Sequence, residues 1–446
     1  MTTRSRLATL ALAAAVPAAP SAFAQTATAV VESGTTVGGQ TIGEIQGFNV
    51  NAAGQVAALT GDGTGSSANE FVFTAGPGGL ALVDEEGADI NDFAGAPGID
   101  AAGSVVYRIG GPGSNDSAIF RDGSRVLTQG DSVAADSALG VYRIPARPQL
   151  TAAGELVFFS STNPPTSNSA TALFTDGGSA TALQFVFGNA GATTSISTGP
   201  GTTALIDQID SDYEVSSGGL FAATRVSVGS EPSATDDFVV IADLTTGTVT
   251  TATGSDGSAI QEGMAVPGVA DAVWDNFFRF GVNDAGAYLF TGDYDDNSDP
   301  GSTETVEFLA LDGEIVLQSG DTVGGRTIFD GFDAAELSAT GNYATLVDTD
   351  DDGINNPDTL VVDGEAVFSI GDAVDTSNGI ASLASFENFT DVLGITSSVG
   401  GVFDVYFAGT TNAGGSGIFS VTVPEPASAV VLAGAGALLL GRRRRA

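Results

Sequence analysis

The chain contains no cysteine and no histidine, and every one of its 14 basic residues is arginine, so lysine is missing too. Without thiols it can form neither disulfides nor thiolate metal sites, and its stability must come from packing. Without His, Lys and Cys, the Ser-His-Asp, Cys-His, Schiff-base and His-ligated zinc mechanisms are excluded. Carboxylate acid–base chemistry is what remains. Positive charge is scarce as well, since 54 acidic residues against 14 basic ones give a net charge of −40. Arg4, Arg6 and Arg442 to Arg445 sit near the two termini, which leaves eight arginines for everything between. Such a polyanion repels nucleic acid and anionic lipid, and nucleic-acid binding is excluded on that ground. The single tryptophan, Trp274, lies beside Phe277, Phe278 and Phe280, a cluster suited to core packing and not an obvious sugar platform.

Glycine is abundant, 61 residues of 446, and 42% of the chain is hydrophobic. That composition fits a folded, turn-rich all-β chain better than a disordered acidic one. One phrase recurs, generally a polar residue, two spacers and Gly, followed by a strand of β-branched and aromatic residues. It reads Asn51-Ala52-Ala53-Gly54, Asp100-Ala101-Ala102-Gly103, Thr151-Ala152-Ala153-Gly154, Val215-Ser216-Ser217-Gly218, Asn283-Asp284-Ala285-Gly286, Ser338-Ala339-Thr340-Gly341 and Ser397-Ser398-Val399-Gly400. The glycines of these seven copies are 49 to 68 residues apart, the length of a four-stranded sheet with its turns. Asp122-Gly123, Asp176-Gly177, Asp312-Gly313 and Asp363-Gly364 each end a strand in a hairpin signal. A second phrase follows the partner strand, as Gly130-Asp131, Gly320-Asp321 and Gly371-Asp372. Helical periodicity is absent between the two terminal segments.

These repeats predict a seven-bladed β-propeller of four-stranded antiparallel blades. Ala29 to Gly34 matches a fourth strand with no first three before it, and the seventh unit stops after its third strand, near Val421. The N-terminal strand is therefore expected to close the last blade. An open β-solenoid is the alternative fold.

Residues 1–24 read as a secretory signal peptide, with Arg4 and Arg6, an apolar stretch from Leu7 to Val16, and Ala22-Phe23-Ala24 as the cleavage site. Residues 25–422 form the repeat domain. Residues 423–446 hold Pro424-Glu425-Pro426, an apolar segment from Ala427 to Leu440, and Arg442, Arg443, Arg444 and Arg445. This tail resembles the PEP-CTERM sorting signal, which implies processing by an exosortase-type membrane protease after export by the secretion machinery. A helix of ~15 residues spans ~22 Å, short of a ~30 Å hydrocarbon core, so transient membrane contact suits it better than a permanent anchor. The body is similar to the propeller-like repeat proteins that carry this tail. Delivery to the cell envelope, outer surface or extracellular matrix is the expected destination, with exopolysaccharide or other surface proteins as partners.

Two hairpins offer candidate cation ligands. Asp348, Asp350 and Asp352 alternate before Gly353, with Asp358 further on, and Asp293, Asp295, Asn297 and Asp299 alternate in the preceding unit. Alternating oxygen ligands suit Ca²⁺, although position twelve of the first loop is Thr359 and not the glutamate of an EF-hand. Asp and Asn also simply favour turns. The sequence singles out no carboxylate pair for catalysis, so the expected role is a non-catalytic structural or interaction module rather than an enzyme. The alternatives are a calcium-dependent adhesin and a polysaccharide-active enzyme that uses an Asp/Glu pair.

Overall fold

A computed structural model describes residues 25–425, apart from residues 62–68, 87–92, 111–116, 133–139, 164–169, 177–183, 189–193, 200–201, 230–231, 233–234, 297–304, 350–356, 388–390 and 397–398. Ala22, Ala24, Pro426 and Arg442 to Arg445 lie outside the described residues. Among the described residues every regular element is a strand, and no helix is long and apolar enough to cross a membrane.

Six four-stranded antiparallel sheets follow one another along the chain, each laid down in chain order. Their first strands are Ile45–Val50, Gly98–Ile99, Val141–Leu150, Gln208–Val215, Ala272–Val282 and Asp330–Leu337. A further mixed sheet of six strands contains Leu393–Ile395, Val402–Thr411, Ser416–Pro424, Ala27–Glu32, Ala373–Thr376 and Gly379–Phe386. The first strands touch in cyclic order, and Leu393–Ile395 meets both Asp330–Leu337 and Ile45–Val50. The arrangement is propeller-like, and this closure excludes the open solenoid.

Apolar clusters straddle neighbouring sheets, as where Val106 and Ile119 of the second meet Phe158 and Phe174 of the third. Sheets covered on both faces need strands without a wet side. Val56–Gly61 and Tyr343–Asp348 are accordingly buried at every position. Trp274 is buried against Phe277, Phe290 and Phe308, as its sequence neighbours suggest.

The repeated phrases turn out to be clamps. Asn51 Oδ1 accepts the backbone N–H groups of Ala53 and Gln55, and Asp100 Oδ1 those of Ala102 and Ser104. Thr151, Ser216, Asn283 and Ser338 do equivalent work through their side-chain oxygens. In the fourth unit the clamp is Ser216, so the phrase runs to Gly219, at φ +75°, and not to Gly218. In the last unit the clamp is Thr396, which accepts the Asp404 N–H at 2.9 Å. The Asp-Gly hairpins form at 122–123, 312–313 and 363–364, with both residues at positive φ as a type I′ turn requires. Each of these aspartates also accepts an N–H from the start of the second strand, those of Val105, Tyr288 and Tyr343.

The two ends of the repeat array pair. Thr28 lies opposite Ser420 and Glu32 opposite Gly417, in an antiparallel ladder. The last sheet departs from the expected four strands because the hairpin Ala373–Phe386 joins it, through a parallel pairing of Ala27 with Val374. The strand Ser416–Pro424 also runs across the expected boundary at residue 422, with Val423 buried and Glu425 N–H donating to Gly401 O at 2.9 Å.

Candidate active site

The first strands end at the clamp residues, and the position two residues earlier lies on the same side of the strand. Around the ring that position is Asn49, Gly98, Gln149, Glu214, Gly281, Glu336 and Gly394. A cavity of about 170 Å³ opens here, lined by residues of all seven sheets and including Glu214 and Glu336. The glycines let the strands approach. A Cβ at Gly394 would lie 2.6 Å from Val50 Cγ1, and one at Gly98 would lie 3.1 Å from the backbone of Gln149 and Leu150. Glu214 and Glu336 are the two carboxylates of this set.

Burial, partly offset by the Arg147 charge and the Gln149 amide, pushes Glu214 up to about 7. Gln149 Nε2 donates to Glu214 Oε2 at 3.0 Å, while Gln149 Oε1 accepts the Val215 N–H at 3.0 Å. Glu336 is pushed well above the carboxylate range by burial, then by the charges of Glu214 and Asp391, with Arg147 again opposing. The two groups thus have different protonation preferences in one cavity. Burial and like charges disfavour the ionised form of Glu336, while Glu214 has a hydrogen-bond donor that favours its ionised form.

Arg147 is placed by a bulge. Ala146 pairs with Phe159 and Gln149 with Val157, so Arg147 and Pro148 stand out of the ladder. Arg147 has φ +45°, a conformation that costs a residue with a side chain ~1–3 kcal/mol and clusters at functional sites. Its guanidinium pairs with Asp212 of the fourth sheet and, at 3.2 Å, with Asp391 beside the last. Asp212 also takes Arg279 of the fifth sheet at 2.6 Å. The Tyr213 hydroxyl donates to the Arg147 carbonyl. Four sheets are tied across the centre by this network.

The structure places the expected cation ligands differently. Asp358 is buried, accepting the Thr349 N–H at 3.0 Å and the Thr349 hydroxyl at 2.7 Å, with Arg326 at 3.3 Å. It braces its hairpin. Asp348 lies at the end of the buried strand Tyr343–Asp348, and its carbonyl accepts the Phe329 N–H. Asp293 accepts from the Asn276 backbone and amide at 3.1 Å, and its charge helps push neighbouring Asp275 up, after burial. Asp295 sits opposite Val273 in the same sheet. Asp350, Asp352, Asn297 and Asp299 lie outside the described residues. Among the described residues no three acidic groups converge on a common point fit for a metal. Glu214, Glu336, Arg147, Gln149 and Asp391 were not foreseen from sequence, although aligning the seven repeats on their clamps would have exposed the two glutamates.

Many solved structures are similar to this chain, and three of them serve as examples. A puromycin hydrolase aligns at TM-score 0.40 with 14% identity, over 82% of this chain and 50% of its own. This chain therefore spans half of that hydrolase's length. The polysaccharide lyase Uly1 aligns at 0.42 with 10% identity, over 88% and 94%. An oligogalacturonate lyase from Vibrio parahaemolyticus aligns at 0.40 with 11% identity, over 86% and 91%. Likeness at this distance argues no particular reaction. The expectation that this chain is no enzyme is corrected to one without support among these three, which are named as a hydrolase and two lyases. None of the curated proteins matches. A family described as one of unknown function, DUF7453, matches residues 91–362, more than half of the chain, and the chain belongs to that family.

Proposed function

We propose that the protein is a seven-bladed propeller enzyme that hydrolyses a neutral glycan, with Glu336 as general acid and Glu214 as general base. The observation that carries this reading is the convergence of the two carboxyl groups in one central cavity, with distinct protonation preferences. In the hydrolytic step Glu336 gives its proton to the glycosidic oxygen as the bond to the anomeric carbon breaks. Glu214 takes a proton from the attacking water, whose oxygen bonds to that carbon. Proton return from Glu214 to Glu336 through solvent restores the site. Arg147 and Gln149 oppose the burial that pushes Glu214 up, and the Gln149 amide orients it. A cavity of about 170 Å³ is smaller than the ~300 Å³ at the low end of small-molecule sites, which suits a chain end rather than a threaded chain. A net charge of −40 disfavours polyanionic glycans.

The seven-blade count treats Leu393–Ile395, Val402–Thr411, Ser416–Pro424 and Ala27–Glu32 as one four-stranded blade, with Ala373–Phe386 as an added linker hairpin. The hairpin of Thr322–Val323 with Arg326–Thr327, which precedes the sixth sheet, supports that assignment. On the same reading the chain is exported through its signal peptide and sorted by the Pro424-Glu425-Pro426 tail and its arginines. It would then act outside the cell, on surface or matrix polysaccharide.

The test is incubation of the mature protein with a panel of neutral polysaccharides and oligosaccharides, followed by reducing-end release. Wild-type protein should cleave at least one, and Glu336→Gln should lose roughly 10²–10⁴-fold in rate. Equal rates in wild type and Glu336→Gln, or no cleavage of any member, would reject the assignment. Release of an unsaturated product, seen by ultraviolet absorbance, would reject hydrolysis in favour of elimination.

A further inference from the structure

A second cavity, of about 420 Å³, is lined by residues of the fourth, fifth and sixth sheets, among them Asp210, Asp212, Arg225, Phe278, Arg279 and Glu307. Its volume falls within the ~300–1,000 Å³ of ligand sites. Bulges build it. Phe277 pairs with Gly292 and Phe280 with Phe290, so Phe278 and Arg279 stand out of the ladder. Gly292 lines the same cavity, and a Cβ there would lie 2.0 Å from the Asn276 carbonyl oxygen, so that crowded backbone requires glycine. The bulge leaves Phe278 42% exposed, an unusual state for a phenylalanine beside the buried Phe277 and Phe332.

Charges in this cavity nearly cancel. Three carboxylates face two arginines, in a molecule whose overall charge is −40. Arg225 pairs with Asp210 and, at 3.3 Å, with Asp237. Arg279 pairs with Asp212 at 2.6 Å, and Glu307 accepts the Gly331 N–H at 2.9 Å. Paired groups of this kind present fixed donors and acceptors with little net field, beside an apolar ring face. That combination fits a neutral ligand rich in hydroxyls, whose C–H faces can stack on an aromatic ring. Asp212 stands two residues, ~7 Å, before Glu214 on one strand, and Arg147 reaches from Asp212 to Asp391 at that level. The two cavities share no lining residue and are distinct compartments.

We infer that the Phe278 cavity is a second, non-catalytic sugar site, which holds a neutral oligosaccharide by stacking on Phe278 and hydrogen bonds from the Arg225 and Arg279 pairs. The choice of ligand rests on the glycan reading above, but the site is testable apart from cleavage. Trp274, the single tryptophan, packs on Phe277 with ring centroids 6.2 Å apart, and Phe277 lines the cavity. Its fluorescence therefore reports occupancy. Titration with neutral oligosaccharides of four to six units, confirmed by calorimetry, should give a saturable response in wild type and in Glu336→Gln. Phe278→Ala should weaken binding about tenfold or more, and Phe278→Tyr should restore most of it. No saturable response in wild type would overturn the inference, as would undiminished affinity in Phe278→Ala. Loss in Glu336→Gln equal to that in Phe278→Ala would place the sugar at the carboxyl pair instead. Cleavage without Trp274-reported binding would sink this site alone, whereas binding without cleavage would sink only the hydrolase assignment.

Discussion

Two positions of the same repeat, two residues apart, behave in opposite ways. The clamp position is Asn51, Asp100, Thr151, Ser216, Asn283, Ser338 or Thr396, always polar, always buried and always spent on backbone N–H groups. The position two residues before it is Asn, Gly, Gln, Glu, Gly, Glu or Gly, faces the axis and follows no rule of composition. What recurs builds the ring. What varies at an inward-facing position distinguishes this ring chemically, and its two glutamates sit in surroundings that disfavour their charge.

Substitutions at the two positions should therefore separate activity from stability. The largest effect belongs to the axis position, where a combined Glu214→Gln, Glu336→Gln protein should cleave no faster than Glu336→Gln alone. Both carboxyl groups serve one reaction, so their losses do not add. Steady-state rates on a cleaved glycan would show this, and additive losses would break the pairing. Closure comes next. Val31, buried in the strand that joins the two ends of the array, when changed to Asp should cost roughly 3–5 kcal/mol in denaturant unfolding. A clamp substitution, Asp100→Ala, strands two N–H groups and should cost roughly 2–4 kcal/mol by the same measurement, with the pH profile of cleavage unmoved. The smallest effect is the most telling one. Glu214 binds its proton more tightly folded than unfolded, so it lowers stability as pH rises from its unfolded value towards about 7. Glu214→Gln should therefore raise Tm at pH 8 by roughly 2–4 °C and leave it unchanged at pH 4. A clamp substitution would lower Tm at both.

The comparison also explains what could be read in advance. Strand alternation, the Asp-Gly turns at Asp122, Asp312 and Asp363, and the unpaired fourth strand at Ala29 were enough to anticipate an all-β ring with joined ends. Local chemistry dictates those features. Arg147, Asp212, Phe278 and Arg279 were not legible, because each sits in or beside a bulge, where extra residues interrupt the alternation that decides which side chains face the axis. The alternating aspartates drew attention through composition, yet Asp358 is committed to Thr349 and Arg326 and Asp293 to Asn276. Turn chemistry and ligand chemistry use the same residues. Glu214 and Glu336 were hidden differently. Neither belongs to a local motif, and only their equivalent places in two repeats mark them out.

The central claim is that two glutamates on the axis keep their protons to higher pH than ordinary glutamates do. Carbon-13 NMR of the side-chain carboxyl groups, in protein labelled at glutamate and titrated from pH 3 to 9, tests it most directly, with Glu214→Gln and Glu336→Gln to assign the signals. The account predicts that both titrate well above the ordinary value of ~4.3, Glu214 near 7, and that removing either one lowers the midpoint of the other. Midpoints in the ordinary range for both, unchanged when the partner is removed, would contradict it.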